Sequence, residues 1–463
     1  MPIPTVSTCP LEVTGKRVGV LGAARSGLGS ALLLARAGAE VVVGDRKTPE
    51  ALSPDTLDRI RATGADLRLG TQDLAQLGGA ELLVVSPGVR VDAPIMQQAA
   101  EAGVPVIGEV ELACRFSPAP VVAVAGTNGK GTTSTLAGAM LNQGGLRARV
   151  CGNIGDPFAG AVAEAQPVDL FVVEISSFQL ETIQLFRPWI ALLLNITPDH
   201  LDRHRTMESY VAAKARLFGN QTSADWAILN ADDRNVTVAA RSTPARRIGF
   251  SARNAAQARV EGEALVVDLG GGPVEICRRP DLVARSAHYV ESVLASAAAA
   301  LIAGASREGI IAGIRSHRLP DDVLEVVCQA AGVTFINSSK ATNPAAAEAD
   351  IGSVDGPLLI IAGGLGKRAD FAGFGRLLGR RAKGVFLIGE CAARIAEAAH
   401  GVPTTLCGTL DEAVRSAYAA AGPGDTVMLA PACASLDMFP SAAVRGEQFC
   451  AIARSICARG GTE

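Results

Sequence analysis

A glycine-rich loop with one lysine lies inside the stretch VAVAGTNGKGTTSTL at 122–136, and it follows an apolar run typical of a buried strand. Glycines let backbone N–H groups approach phosphate oxygens, while Lys130 neutralises their charge. The spacing is not that of a GxxxxGK[ST] loop, because Gly131 stands where the magnesium-binding hydroxyl should be, so we expect Thr132 to supply that hydroxyl. The predicted nucleotide-binding residues are Gly126, Thr127, Asn128, Gly129, Lys130, Gly131 and Thr132.

Two more apolar runs end in side chains that can hold a metal ion. Glu174 comes near the end of DLFVVEIS, and Asp199 and His200 follow WIALLLNIT. Ligands of open α/β sheets bind at the carboxyl ends of strands, so Thr132, Glu174 and His200 could meet at one edge that carries magnesium. For His200 taken alone, a hydrogen-bonded loop histidine is the alternative.

Lysine is scarce in this chain, which makes its positions informative. Only seven of the 43 basic residues are lysines, and Lys130, Lys214, Lys340 and Lys367 fall in motifs. Arginine stays charged and has no free amine, so a lysine can supply chemistry that arginine cannot. Lys214 lies in the helical pattern MESYVAAKARLF, where the pattern alone favours a solvated lysine. Lys340 and Lys367 would form a cationic pocket for an acidic substrate.

Polar side chains also follow strands in the last third of the chain. Thr342 comes just after GVTFINSSK, and Ser435 lies in the turn after VMLAP. Cys433 has no histidine near it in sequence, and its small apolar surroundings favour a structural thiol over a nucleophile.

A turn near the N-terminus is suited to a second phosphate group. Residues 22–27 read GAARSG and join the strand RVGVLG to a helix, which directs backbone N–H groups toward a diphosphate. The middle glycine of a GxGxxG motif is replaced by Ala24, so the signature is weak. Asp45 ends the next strand, where a ribose hydroxyl would be held. A tight turn with a surface aspartate is the alternative.

Short β-branched runs alternate with Ala- and Leu-rich helical patterns along the chain. This alternation predicts an α/β fold of parallel sheets with crossover helices, in three domains at 1–109, 110–318 and 319–463. The stretches predicted to contain strands are 17–22, 40–45, 81–89, 121–126, 169–176, 189–197, 332–343, 358–364, 384–389 and 427–437, with a helix over 26–37.

The composition excludes several classes of function. A net charge of −3 over 463 residues gives no reason to expect nucleic acid or a membrane surface as partner. The first residues show no basic segment followed by an apolar one, so no signal peptide is predicted, and no apolar run approaches the length of a membrane span. The ten scattered cysteines contain no CxxC pair and are expected to be reduced thiols of a cytoplasmic protein.

Together these motifs resemble those of the Mur ligases, over almost the whole chain and in the expected order. They are GTNGKGTT (126–133), GNIGDP (152–157), VEISSFQLE (173–181), NITPDHLDRH (195–204), AAK (212–214), FINSSKATN (335–343), GGLGKRADF (363–371), PACASLD (431–437) and RGEQF (445–449). The chain is most similar to the type that adds glutamate to UDP-N-acetylmuramoyl-L-alanine in peptidoglycan synthesis. The resemblance implies a Rossmann-like UDP-sugar domain, a central P-loop ATPase-like domain with a parallel or mixed sheet, and a Rossmann-like C-terminal domain for the amino acid.

The resemblance also implies a mechanism and a set of site residues. ATP would phosphorylate the substrate carboxylate, and the amine of D-glutamate would attack the acyl phosphate. Two magnesium ions are expected, one held by Thr132 and Glu174 and one held by His200 with a carbamylated Lys214. The implied catalytic residues are Lys130, Glu174, His200 and Lys214. The implied UDP-sugar and muramoyl contacts are Ser26, Asp45, Ser86, Gly88, Asn153, Ser176 and Gln179. The implied glutamate contacts are Lys340, Thr342, Lys367 and Ser435. A monomer acting on small molecules is expected.

Several positions depart from the usual family motifs around ATP and the amino acid, namely Tyr289, Ser292, Asp321, Ser338 and Ala442. The metal and muramoyl motifs are intact. A related ligase for another amino acid, such as L-glutamate or a folate-type substrate, is one alternative. A non-catalytic Mur-like binding protein is another. A nicotinamide oxidoreductase would leave the central phosphate loop unexplained.

Overall fold

Two compact units make up the chain. In the computed structural model, the first contains residues up to 196 together with 208–281 and 291–317, and the second contains 197–207, 282–290 and the chain from 318 onward. The structure describes residues 3–5, 11–284, 286–319, 321–366 and 369–459. The predicted site residue Lys367 lies outside the described residues.

A five-stranded parallel sheet with the order β3-β2-β1-β4-β5 opens the first unit. Its strands are β1 (Arg17–Leu21), β2 (Glu40–Asp45), β3 (Asp66–Leu69), β4 (Leu82–Val85) and β5 (Val106–Gly108). Its helices are α1 (Arg25–Arg36), α2 (Pro54–Arg61), α3 (Pro94–Glu101) and α4 (Glu109–Phe116). The central strands are rich in valine and leucine and are buried along their length, as a parallel sheet covered by helices requires.

The central sheet has nine strands in the order β14-β13-β12-β11-β10-β9-β6-β8-β7, antiparallel only where β13 pairs with β12 and β14. Its strands are β6 (Val121–Ala125), β7 (Ala148–Gly152), β8 (Leu170–Glu174), β9 (Ile190–Leu193), β10 (Trp226–Asn230), β11 (Arg246–Ser251), β12 (Ala258–Glu261), β13 (Ala264–Asp268) and β14 (Pro273–Arg278). The helices of this part of the chain are α5 (Lys130–Gln143), α6 (Phe158–Ala163), α7 (Ser177–Leu180), α8 (Leu201–His204), α9 (Met207–Ala215), α10 (Arg234–Ala239), α11 (Ala287–Ala303) and α12 (Arg307–Ser316).

Close helix packing joins the first two sheets within the first unit. A Cβ added to Gly29 on α1 would stand only 2.8 Å from the backbone nitrogen of Gly160 on α6, so the two helices meet where neither has a side chain. Arg25 donates from Nη1 to the Gly155 carbonyl at 2.9 Å, and Arg36 donates to the Ala163 carbonyl. The turn after β1 therefore contacts the GNIGDP motif directly.

The third sheet lies in the second unit and has the order β15-β16-β20-β17-β18-β19, with β15 antiparallel at one edge. Its strands are β15 (Glu325–Ala330), β16 (Val333–Asn337), β17 (Leu358–Gly363), β18 (Ala382–Ile388), β19 (Thr404–Leu406) and β20 (Thr426–Leu429). Its helices are α13 (Pro344–Gly352), α14 (Ala372–Arg381), α15 (Ala392–Ala398), α16 (Leu410–Ala420) and α17 (Ala442–Arg459). The predicted α/β class is confirmed; the first sheet is parallel, and the central and third sheets are mixed.

One expectation about the cysteines is wrong. Cys328 on β15 and Cys457 on α17 form a disulfide, with Cα atoms 6.6 Å apart, whereas the sequence predicted ten reduced thiols. The packing of β15 against α17 brings together two residues 129 positions apart, which no local spacing reveals.

Among the described residues, no helix has the length and apolar character needed to cross a membrane.

Candidate nucleotide and substrate site

The phosphate loop joins β6 to α5, and its lysine folds back over it. Gly129 has a φ of +79°, which glycine adopts without strain, and α5 begins at the next residue. Lys130 Nζ donates to the carbonyl oxygens of Gly126 at 3.0 Å and Thr127 at 2.8 Å. The loop therefore holds a cation at a helix N-terminus, where free backbone N–H groups favour an anion.

Asn195 clamps the phosphate loop from the neighbouring strand. Its Oδ1 accepts from the backbone N–H groups of Thr127 at 3.1 Å and Asn128 at 2.8 Å, and its Nδ2 donates to the Asn128 carbonyl at 3.1 Å. Because β9 pairs in parallel with β6, the chain just after each strand lies side by side. The sequence showed a polar residue after a strand but not which loop it would hold.

Helix α9 turns two polar side chains toward the same loop. Tyr210 and Lys214 are four residues apart, hence on one helix face, and each is 1% exposed. The Tyr210 hydroxyl lies 3.1 Å from Thr127 Oγ1, and Lys214 Nζ donates to the Gly126 carbonyl at 2.8 Å. The Gly126 carbonyl thus accepts from both Lys130 and Lys214. The pattern-based preference for a solvated Lys214 is wrong, because its partner lies 88 residues away.

Glu174 ends β8 beside the start of α5. Its buried side chain accepts from Asn153 Nδ2 at 2.6 Å through Oε1, while Oε2 lies 3.5 Å from the place of a Cβ on Gly131. The Thr133 hydroxyl donates at 2.9 Å to a backbone carbonyl one turn earlier, whereas the half-buried Thr132 hydroxyl is not used in this way. A carboxylate and a hydroxyl therefore share this edge, and Mg²⁺ prefers oxygen ligands of this kind.

Ser176 and Gln179 form a capping box at the start of α7. Ser176 Oγ accepts from the Gln179 backbone N–H at 3.3 Å, and Gln179 Oε1 accepts from the Ser176 backbone N–H and hydroxyl, both at 2.9 Å. These bonds commit the oxygen of the Gln179 amide to Ser176, so that its NH₂ group points elsewhere. The two predicted muramoyl contacts are therefore coupled to each other.

Asp45 and Ser86 lie around the turn that follows β1. Asp45 is 8% exposed, and its carboxylate accepts from the backbone N–H groups of Ala23 and Lys47, both at 2.8 Å. Gly22 has a φ of +102°, and a Cβ there would stand 2.6 Å from Ser86 Oγ. Asp45 thus stabilises the turn through hydrogen bonds and is buried, which differs from the surface aspartate that the sequence offered as an alternative.

Asp199 and His200 belong to the second unit. His200 has a φ of +54°, an uncommon value for a residue with a side chain, and its backbone N–H donates to Asp199 Oδ1 at 2.8 Å. Asp199 Oδ2 also accepts from Nδ2 of Asn343, which caps α13, at 3.3 Å. The NITPDHLDRH and FINSSKATN motifs therefore meet within this unit.

Loops at the carboxyl edge of the third sheet carry the predicted amino-acid contacts. Leu365 and Ala434 exchange two backbone hydrogen bonds, at 2.8 and 3.0 Å, which join the GGLGK loop to the PACASLD loop. Ser435 is 4% exposed in the second of these loops. After β16, Lys340 is exposed and Thr342 is half-buried.

Arg445, on α17, ties two of these loops together. It is fully buried; its Nε and Nη2 donate to Ser339 Oγ at 3.0 Å and Ser339 O at 2.9 Å, and its Nη1 donates to Cys433 O at 3.2 Å. Burial lowers the pKa of Arg445 to about 10, so the side chain stays cationic near neutral pH. The RGEQF motif was noted in the sequence, but it revealed no role for this arginine.

Cys433 and Ser338 concern two expectations from the sequence, a structural thiol and a replaced carboxylate. A hydrogen bond with Cys391 and burial raise the pKa of the Cys433 thiol, as suits a structural cysteine. Ser338 stands where the resemblance expects a carboxylate, and its hydroxyl donates to Asp350 Oδ2 at 2.6 Å. Burial raises the pKa of Asp350 to about 6.

The predicted residues are divided between the two units. The first unit places Lys130, Glu174 and Lys214 on or beside the phosphate loop, while His200 and the described glutamate contacts lie in the second unit. Ser26 is in the first turn of α1, and Gly88 is exposed in the loop after β4.

Family models match three successive ranges of the chain. Residues 16–108 match the Mur ligase MurD-like N-terminal domain, 124–298 the Mur ligase middle domain, and 324–433 the Mur ligase glutamate ligase domain.

Full-length relatives and solved structures match as well. The chain is 43% identical over 444 residues to the UDP-N-acetylmuramoylalanine–D-glutamate ligase of Acidobacterium capsulatum, covering 95% of this chain and 96% of that one. It is 42% identical over 451 residues to the ligase of the same name from Pelotomaculum thermopropionicum, covering 96% and 99%. A pseudomurein peptide ligase type C from Methanothermus fervidus shares the fold, with a TM-score of 0.64 at 19% identity, over 96% and 100% of the two chains. MurF ligase from Thermotoga maritima in complex with ADP also shares the fold, with a TM-score of 0.61 at 15% identity, over 91% of this chain and 95% of that one.

Proposed function

Because the chain belongs to the Mur ligase family, we propose that it joins D-glutamate to UDP-N-acetylmuramoyl-L-alanine in peptidoglycan synthesis. The family predicted from the motifs is confirmed, and membership makes the chain an ATP-dependent ligase that forms an amide bond. The observation that carries the choice of reaction is the identity of 43% and 42%, over nearly full length, with relatives named for D-glutamate addition.

The phosphate loop would serve the first half of the reaction. The γ-phosphoryl group of ATP passes to the substrate carboxylate, giving an acyl phosphate and ADP. Lys130 and the backbone N–H groups at the start of α5 would stabilise the charge on the transferring group. The clamp made by Asn195 supports this role, since a loop held in advance need not reorganise during the transfer.

The second half of the reaction needs the amino acid. The amine of D-glutamate attacks the acyl carbon, the new C–N bond forms, and inorganic phosphate leaves. Lys340, Thr342, Lys367 and Ser435 would hold the two carboxylates of glutamate, since cationic and hydroxyl donors suit such groups. The backbone hydrogen bonds between Leu365 and Ala434 join two of the loops at this edge of the sheet, which supports a pocket there.

Magnesium fits the donors near the phosphate loop. Glu174 and Thr132 would hold one ion and His200 with a modified Lys214 a second; when bound, such ions would neutralise phosphate and acyl oxygens. Among the described residues, no three His, Cys, Asp or Glu side chains cluster as a metal site. Mg²⁺ is commonly held by one or two carboxylates, with substrate phosphates completing its shell.

Carbamylation of Lys214 is part of the proposal. A neutral lysine amine adds to CO₂ and releases a proton, leaving a carbamate whose oxygens can bind a cation. Lys214 is buried next to the loop, with its amine 2.8 Å from the Gly126 carbonyl oxygen. The second donor to the Gly126 carbonyl, Lys130, would keep that carbonyl satisfied after the modification.

The N-terminal sheet would bind the nucleotide part of the substrate. Ser26, Asp45, Ser86 and Gly88 would surround the uridine diphosphate, while Asn153, Ser176 and Gln179 would position the muramoyl peptide. The contact of Arg25 with the Gly155 carbonyl supports one continuous binding surface, because both groups belong to the first unit. We further propose that the protein acts as a monomer in the cytoplasm.

Phosphate release tests the proposal. Purified protein is mixed with ATP, magnesium, UDP-N-acetylmuramoyl-L-alanine and either D- or L-glutamate. Release that requires the muramoyl peptide and D-glutamate is the expected result. Release with L-glutamate alone would point to a related ligase, and binding of the UDP-sugar without release in either mixture would indicate a binding protein.

A further inference from the structure

Glu109, the first residue of α4, is a buried carboxylate that the proposed reaction does not use. It is 1% exposed, and its Oε1 accepts from the Ala159 backbone N–H at 2.6 Å. Its Oε2 is buried and has no hydrogen-bond partner among the described residues. Buried carboxylates usually find partners for both oxygens, because desolvating a charge is costly. An incompletely satisfied carboxylate therefore requires an explanation.

Glu111, two residues further along the same helix, shows that α4 can satisfy a buried carboxylate fully. Its oxygens accept from the three successive backbone N–H groups of 184–186, and it pairs with Arg115 at 2.7 Å. It is 0% exposed. The incomplete partnering of Glu109 is thus a local property and not a general feature of this helix.

The amide of Gln179 lies beside Glu109. Burial raises the pKa of Glu109 to about 7, although the Ala159 N–H, the Gln179 side chain and the Phe158 N–H act in the opposite direction. The capping box already commits Gln179 Oε1 to Ser176, so the NH₂ group of that amide is the part left for the carboxylate.

We propose that Glu109 is a positioning residue for the nucleotide-sugar substrate, and that its carboxylate keeps the Gln179 amide oriented with Nε2 toward Glu109 and Oε1 toward Ser176. The inference rests on the proposed function, in which Ser176 and Gln179 position the muramoyl peptide. An ionised carboxylate only accepts hydrogen bonds, so it excludes the flipped amide, whose oxygen would face it. A protonated carboxyl group, or an amide in its place, removes that discrimination.

Other titratable and charged groups lie near Glu109. On β7, burial and the charge of Glu109 raise the pKa of the Cys151 thiol, and Arg149 and Asp156 lie near that thiol. On α1, which packs against α4, Arg36 is engaged with a carbonyl of α6. The Glu109 carboxyl is therefore the group expected to change charge here between pH 6 and 8.

Glu109→Gln tests this inference with little change of shape. The new amide can still accept from Ala159, but it places a donor against the Gln179 NH₂ group. We expect KM for UDP-N-acetylmuramoyl-L-alanine at pH 8 to rise about tenfold, with KM for ATP and D-glutamate unchanged. In the wild type the same KM should rise as pH falls from 8 to 6, because Glu109 takes up a proton, and the variant should lack that dependence. A variant with wild-type KM and pH profile would overturn the inference.

The double variant Glu109→Gln with Gln179→Glu provides the matched control. Its exchanged carboxylate at 179 can accept from Ser176 and from the new amide at 109, so KM should return to within about threefold of wild type. Gln179→Glu alone places two carboxylates together and should raise KM further than the double variant. A double variant worse than both single ones would contradict the inference. Wild-type protein without D-glutamate-dependent turnover would refute the proposed function, whereas normal turnover with unchanged KM in Glu109→Gln would refute only this inference.

Discussion

Two buried basic side chains, Lys214 in the central sheet region and Arg445 in the third, hold loops in different ways. Lys214 donates to the carbonyl of Gly126, which also accepts from Lys130. Arg445 donates to three acceptors on two loops, through Ser339 and the Cys433 carbonyl. The lysine therefore shares its structural task with a neighbour, whereas the arginine performs its task alone.

The difference in residue type follows from this division. An arginine cannot lose its proton in a protein and offers a fixed fork of donors, which suits a permanent tie between loops. A lysine amine can become neutral when buried and can then react. Arg445 holds two loops together and has no proposed chemical role. Lys214 has a proposed chemical role, and the carbonyl that it contacts is also hydrogen-bonded by Lys130.

The largest expected effect comes from removing the Lys214 amine. Lys214→Met should lower kcat roughly 100- to 1,000-fold, because the variant lacks the amine whose carbamate is proposed to help hold a magnesium ion. The stability cost should be small, since Lys130 still donates to the Gly126 carbonyl. Steady-state kinetics and thermal unfolding measure the two effects. Lys383→Met, at a half-exposed lysine paired with Asp425, is the control and should leave kcat unchanged.

Arg445→Met should show the opposite balance, with stability lost first. Removing the guanidinium leaves the Ser339 and Cys433 carbonyls without this donor, and we expect a loss of about 3 kcal/mol in the free energy of unfolding. Arg445→Lys should recover only part of this, because an ammonium cannot span both loops. The control is Arg454→Met, at an exposed pair 3.9 Å from Glu325, with an effect below about 1 kcal/mol. A variant at 445 with wild-type stability would remove the contrast.

The buried carboxylates Glu109 and Glu111 also differ, since only Glu111 has hydrogen-bond partners for both oxygens. The pKa of Glu109 rises on folding from 4.5 to about 7, so between these values the folded state binds the extra proton and stability falls as pH rises. The loss should approach about 3 kcal/mol by pH 8. Glu109→Gln should remove this loss of stability, so that the variant is more stable than the wild type at pH 8. Urea unfolding of both proteins at pH 5 and pH 8 measures the effect. Glu111→Gln should instead destabilise the protein at both pH values, because it loses acceptors for the backbone N–H groups of 184–186.

Much of the fold could be predicted from the sequence, because parallel strands are buried on both faces and appear as continuous apolar runs. The predicted strand over 40–45 coincides with β2, and the run at 121–126 differs from β6 by one residue. The antiparallel strands at 258–278 were missed. β12 and β14 each have a single buried residue, so no continuous apolar run marks them, while the apolar run of β13 is only four residues long.

The candidate site could be predicted only where a motif is local. The phosphate loop and Glu174 are marked by their positions after strands, but Lys214 contacts Gly126 and Arg445 contacts Ser339 across 88 and 106 residues of sequence. Burial of a charged side chain depends on such distant contacts. The lysine could therefore be identified as a candidate from its rarity and its motif, while its environment could not.

The smallest expected effects come from the hydroxyl groups beside each cation. Tyr210→Phe removes the contact with Thr127 Oγ1, and Ser339→Ala removes an acceptor for Arg445 and a donor to the Ala442 carbonyl at 2.7 Å. Each should cost about 1 kcal/mol, since one or two hydrogen bonds are lost. The comparison predicts where that cost appears. Tyr210→Phe should raise KM for ATP a few-fold with nearly unchanged unfolding, because the loop keeps its Asn195 clamp, whereas Ser339→Ala should lower the unfolding midpoint with KM for ATP unchanged. If both variants changed only KM for ATP, or only the unfolding midpoint, the contrast between Lys214 and Arg445 would be contradicted.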